Sequence, residues 1–137
     1  MPSPLPPPEK PSVSVIIPTR KRPEMLRRAL ASVFAQEVAG ELFDMEVLVI
    51  DDIGLDATRD VMRQFPSAKY ILLPQEVTAS GARNAGIKAG SARYIAFLDD
   101  DDEYLPHKLK TQVPILEARP EIGVLYGQIM VSEKEGA

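Results

Sequence analysis

The chain reads as an α/β protein with a mostly parallel sheet flanked by helices. Short apolar, β-rich runs alternate with segments of helical period from residue 13 onward. One of these runs, residues 46–51, is almost continuously apolar, as a strand buried on both faces requires. A third observation bounds the size: 137 residues, 45% apolar and 26% charged, fit one domain with a real core.

Residues 1–12 carry Pro2, Pro4, Pro6, Pro7, Pro8 and Pro11 and read as an extended, poorly ordered Pro-rich tail. The folded portion is then 13–137. The first strand is 13–17, ended by Pro18, and Pro23 is well placed to open a helix reaching residue 36. Leu26, Leu30, Val33 and Phe34 fall on one face of it. After the second strand, a short helix over 56–65 presents Val61, Met62 and Phe65 inward. The third strand, 68–73, lies between Pro66 and Pro74. The helix over 78–89 has a face of small residues, Ala82, Ala85, Gly86 and Ala89, that permits close approach to the sheet. The fourth strand is 94–98. Pro106 opens a helix with Leu105, Leu109, Val113 and Leu116 on one side, which Pro114 should kink or shorten. Residues 122–126, extending toward 131, make a final strand.

The net charge of -4 argues against a nucleic-acid partner, and the basic residues between Arg20 and Arg28 read as a solvated helical face. With no cysteine there is no disulfide framework, thiolate nucleophile or Cys-based zinc site. No apolar run reaches the roughly 18 residues that span a bilayer, and no secretory leader is visible. The absence of cysteine leaves the redox compartment open, and a cytoplasmic location, the cytoplasmic membrane face included, is the default expectation.

The most informative stretch is Phe97-Leu98-Asp99-Asp100-Asp101-Asp102, an apolar strand that runs into four carboxylates. Like charges this close raise one another's pKa unless a cation or hydrogen-bond donors hold them. The common alternative for an isolated acidic run is a solvated turn. As a metal site it would favour Mg²⁺, Mn²⁺ or Ca²⁺. Counting from Asp99, an EF-hand loop fails at Tyr104, where Gly is required, and at Lys110, where a bidentate Glu is required.

In open parallel sheets ligands bind beyond the carboxyl ends of the strands. Thr19 and Arg20 follow the first strand, Asp51 and Asp52 end the second, and the acidic run follows the fourth, so these residues should converge. Asp52 is placed to accept from a base N–H or a sugar hydroxyl while Asp51 orients the turn; capping of the turn or helix is the alternative for both. Asp56 reads as a helix cap. Arg83, near a helix start in Gly81-Ala82-Arg83-Asn84-Ala85-Gly86, is suited to clamp phosphate. Neither common Gly-rich phosphate loop is present, so phosphates would need metal plus arginine. His107, the single histidine, reads as a surface group, and no nucleophile elbow accompanies it.

Four blocks together resemble the family 2 glycosyltransferases of GT-A (Rossmann-like) fold: Val13-Ser14-Val15-Ile16-Ile17-Pro18-Thr19-Arg20; Val49-Ile50-Asp51-Asp52 with Asp56 and Thr58; Ala82-Arg83-Asn84-Ala85-Gly86; and Tyr94 through Asp102 with Pro106-His107-Lys108-Leu109. The resemblance implies that residues 13–137 are the nucleotide-sugar-binding portion of a truncated GT-A domain. It implies inverting transfer of a sugar from a nucleoside diphosphate donor to a hydroxyl acceptor (glycan, lipid or protein), with Mn²⁺ or Mg²⁺ bridging the diphosphate. By the same resemblance Pro18, Thr19, Arg20, Asp52, Arg83, Asp99 and Asp100 bind the nucleotide sugar, and Asp101 with Asp99 binds metal.

Two departures stand out. The turn Ile53-Gly54-Leu55-Asp56 replaces the family's usual Gly-Ser-x-Asp, and the general base, which family members carry later in the chain, is expected beyond Ala137. A non-catalytic nucleotide-binding or interaction module of the same fold is the alternative. A phosphoacceptor receiver domain fits poorly, because Pro18-Thr19-Arg20 stands where acidic residues belong. An incomplete sheet would also leave an edge that homo-oligomerisation would cover.

Overall fold

The computed structural model describes residues 10–125 and 127. Four parallel strands form one sheet in the order β3-β2-β1-β4: β1 (Ser12–Thr19), β2 (Asp44–Asp51), β3 (Lys69–Leu72) and β4 (Tyr94–Phe97). The helices are α1 (Pro23–Phe34), α2 (Asp56–Arg63), α3 (Ala79–Ala89) and α4 (Lys108–Ala118). The alternation read from the sequence is thus the alternation observed.

The pleat divides the core in two. Val13, Val15 and Ile17 of β1, with Val47 and Val49 of β2, face Leu26, Ala29, Leu30 and Val33 of α1, joined by Val61, Met62, Leu109 and Val113 from α2 and α4. Ile16, Leu48 and Ile50 point the other way, against Ala82 of α3. Each fully buried Val, Leu or Ile side chain among these stabilises the fold by about 1.5–3 kcal/mol relative to exposure. At Gly86 a Cβ would lie 2.4 Å from Ile16 Cγ2, so glycine sets how closely α3 rides on the sheet.

Several local expectations are corrected. Lys10, Pro11 and Ser12 belong to the fold rather than to a tail: Lys10 Nζ donates to the Gly40 carbonyl (2.8 Å), Asp44 N donates to the Pro11 carbonyl, and Ser12 starts β1. Residues 1–9 lie outside the described residues. Pro18 continues β1, paired with Ile50, instead of ending it. The Leu98 amide donates to the Ile16 carbonyl, so residue 18, two further on, also faces the β4 side. β4 has by then ended, and the missing N–H breaks no ladder bond.

Phe34 is not on the buried face of α1; it is exposed and stacks on Phe65, centroids 5.7 Å apart. Ala89 is exposed, and Leu105 yields its place in the core to Tyr104. Asp56 is the first residue of α2, with Leu55 at the cap position and no side-chain cap. Pro106 lies in a turn ahead of α4, and Pro114 is accommodated inside the helix on its exposed side, where the carbonyl it leaves unpaired is near water. β4 is an edge strand among the described residues, with Ile95 and Phe97 exposed. Residues 122–125 are not in a strand; residues 126 and 128–131 lie outside the described residues.

The segment leaving β4 is clamped to α1. The Ser32 Oγ accepts from the Tyr104 amide (3.0 Å), and the Tyr104 hydroxyl donates to the Phe97 carbonyl (2.6 Å). Buried Gln36 donates to the Leu105 carbonyl and accepts from the Leu109 amide. Because both ends of this path are fixed, the acidic loop between them has a defined position.

Candidate functional site

The carboxyl ends of β1, β2 and β4 open onto a cleft of about 400 Å³. Pro18, Thr19, Arg20, Asp52, Arg83, Asp99, Asp100 and Asp101 all line it, so every site residue expected from the sequence is brought together. The parallel register is the cause: Thr19 pairs with Asp51, so the residues after each strand leave the sheet at the same edge.

Asp51 and Asp52 separate cleanly. Asp51 is buried and accepts from the Ile53 and Gly54 amides (3.0 and 3.1 Å) and from the Tyr70 hydroxyl, which shapes the turn after β2. Gly54, at φ +76°, supplies the left-handed residue this turn needs. Burial and the Asp51 carboxylate push the Tyr70 phenol well above its ordinary value. Asp52 points into the cleft instead, accepting from the Val77 amide (2.8 Å) with Arg20 Nε 3.7 Å away.

The four consecutive aspartates have four environments. Asp99 pairs with Arg83 Nη2 at 2.8 Å. Asp100 turns inward: it is buried and accepts from Thr19 Oγ1 (2.9 Å) and the Arg20 amide (3.2 Å), with Arg22 Nη1 at 3.5 Å. Asp101 is exposed and meets Arg22 Nη1 at 3.1 Å. Loss of hydration, then the charges of Asp101, Asp99 and Asp100, raise the Asp102 carboxyl above its ordinary value.

One carboxylate oxygen each from Asp99, Asp101 and Asp102 lies within 4.8 Å of the other two. Three hard carboxylate oxygen donors, with no cysteine in the chain, fit Mg²⁺ or Mn²⁺ better than a soft metal. Asp102 joins Asp99 and Asp101 in this group.

Sequence reasoning missed Arg22, assigning it to a solvated helical face. The usable signal was Pro23: as the first residue of α1 it places Arg22 at the helix's open end, on the carboxyl edge of the sheet. Lys21, at φ +55°, turns the chain so that Arg20 and Arg22 both line the cleft. Val77, Thr78 and Ala79 form the opposite wall, with Thr78 capping α3 by accepting from the Gly81 amide (3.0 Å). His107, at the cap position of α4, makes no side-chain cap and does not line the cleft.

The fold is GT-A. It superposes on Staphylococcus aureus TarS 1-349 in complex with UDP-GlcNAc with a TM-score of 0.70 at 23% identity, covering 80% of this chain and 32% of that one. The mannosyltransferase PcManGT of Pyrobaculum calidifontis, solved with GDP-Man and Mn²⁺, matches with a TM-score of 0.66 at 21% identity, covering 79% of this chain and 33% of that one. The chain belongs to glycosyl transferase family 2, whose sequence profile matches residues 14–137. It is 35% identical over 117 residues to the Escherichia coli UDP-Glc:alpha-D-GlcNAc-diphosphoundecaprenol beta-1,3-glucosyltransferase WfgD, which covers 84% of this chain and 44% of that enzyme. The chain thus spans less than half the length of that relative. Among the described residues no helix is long and apolar enough to cross a membrane.

Proposed function

We propose that residues 13–137 are the donor- and metal-binding portion of an inverting glycosyltransferase, which transfers a sugar from a nucleoside diphosphate to a hydroxyl acceptor. The convergence of Asp52, Arg83 and Asp99–Asp101 around one cleft carries the reading. Pro18, Thr19 and Arg20 form the nucleoside wall, and Asp52 accepts from the base. Asp99 and Asp100 lie on the ribose side, and Arg83 meets the phosphates.

Asp101 and Asp99, with Asp102 beside them, would hold Mn²⁺ or Mg²⁺. A divalent ion there supplies stabilisation of charge developing on the leaving diphosphate. The chain's own residues bind and orient. Asp100 accepts from the Thr19 hydroxyl and the Arg20 backbone amide, so the nucleoside wall and the acidic loop keep one geometry. Each cleft-lining carboxylate already has an amide, hydroxyl or guanidinium partner. None is assigned as general base.

The relative's name specifies UDP-glucose and a diphosphoundecaprenol-linked acceptor, so uridine nucleotides and lipid-linked sugars are the first candidates here. The test is calorimetry of the chain with UDP, GDP and TDP, each with and without Mn²⁺. Metal-dependent binding of one of them is the expected result; a folded chain that binds none removes the proposal.

A further inference from the structure

We infer that Arg22 competes with the divalent ion for the acidic loop and, once displaced, becomes a partner of the donor diphosphate. This rests on the donor-binding reading above. Arg22 Nη1 lies 3.1 Å from Asp101 Oδ2 and 3.5 Å from Asp100 Oδ1. Asp101 is also one of the three carboxylates that converge. A guanidinium and a divalent ion that draw on the same carboxylate oppose each other's binding.

Displacing Arg22 is inexpensive for two reasons. Its side chain is 50% exposed and that of Asp101 is 47% exposed, so the pair is solvent-screened and weak. Asp100, the buried member, keeps the Thr19 hydroxyl and the Arg20 amide after Arg22 leaves, so no orphaned buried charge remains. Arg22 lines the same cleft as Arg83, and its freed fork of N–H donors suits a phosphate.

The consequence is positive coupling. A divalent ion alone must displace Arg22, whereas with a diphosphate present Arg22 has a new anionic partner. Each ligand then strengthens binding of the other by the same factor.

The experiment measures three affinities by calorimetry: Mn²⁺ alone, UDP alone, and UDP with saturating Mn²⁺. It uses the chain and its Arg22→Ala, Arg22→Lys and Arg28→Ala variants, with circular dichroism to verify folding. Arg22→Ala should bind Mn²⁺ alone about threefold more tightly, the scale of an exposed ion pair. It should bind UDP with Mn²⁺ about tenfold more weakly, and the coupling factor should fall. Arg22→Lys should lie between, and Arg28→Ala, which removes an equal charge outside the cleft, should match the parent. Unchanged or weaker Mn²⁺ binding in Arg22→Ala overturns the inference, as does an equal effect from Arg28→Ala. If the parent binds no nucleoside diphosphate, the donor-binding reading fails on its own, while the Mn²⁺ measurement still decides whether Arg22 competes.

Discussion

Thr19 Oγ1 donates a 2.9 Å hydrogen bond to the buried carboxylate of Asp100, joining the end of β1 to a loop 81 residues later in the chain. The same carboxylate accepts from the Arg20 amide, so one side chain fixes two walls of the cleft. Thr19→Val keeps the shape and removes the hydroxyl. We expect a loss of about 1–3 kcal/mol in urea-induced unfolding, because a buried charge then lacks a donor. Thr19→Ser should recover most of it.

Asp101→Ala removes an exposed carboxylate from the converging three. Stability should change by less than about 0.5 kcal/mol, as for a surface substitution. The enhancement of nucleoside diphosphate binding by Mn²⁺ should be lost in calorimetry. A variant that retains full metal dependence would remove Asp101 from the ligand set.

Gly86→Ala places a methyl group 2.4 Å from Ile16 Cγ2. Overpacking of this kind costs about 1–3 kcal/mol, measurable as a lower midpoint of unfolding. Combining it with Ile16→Ala should cost less than the sum of the two single changes, since the second makes room for the first.

Much of this arrangement was legible in the sequence. Apolar, β-rich runs identified the four described strands, and the carboxyl-edge rule brought Thr19, Asp52 and Asp99 together. What escaped depended on partners remote in sequence. Pro18 stays in β1 because β4 stops short of it, and Phe34 leaves the core because Phe65 offers it a stacking surface. Arg22 looked like one more basic residue of an amphipathic helix; only the folded loop shows which carboxylates it reaches. The exposed face of β4 was hidden for the same reason, since an apolar run does not reveal whether a helix lies over it.

Glu46 gives a pH signature away from the cleft. Burial pushes its carboxyl up, but hydrogen bonds from Lys69, the Ser91 amide and Ser14 outweigh this and hold it at about 2, below the ordinary 4.5. A depressed folded-state pKa stabilises the protein above the unfolded value, and that contribution is lost as pH falls from about 4.5 to about 2. Glu46→Gln should cost on the order of 2 kcal/mol at neutral pH and flatten the unfolding free energy across that window. Chemical denaturation at several pH values measures both.

The strand order has a kinetic meaning as well. β1, β2 and β3 and their helices are close in sequence, whereas β1 meets β4 only after about 80 residues of intervening chain, and loop closure of that length slows folding. The acidic loop reaches Thr19 and Arg83 only when β4 is paired with β1, so completion of the cleft depends on the sheet contact of greatest sequence separation. A ligand that recognises only the finished cleft is expected to slow unfolding more than it speeds folding, which stopped-flow unfolding and refolding with and without the ligand would measure.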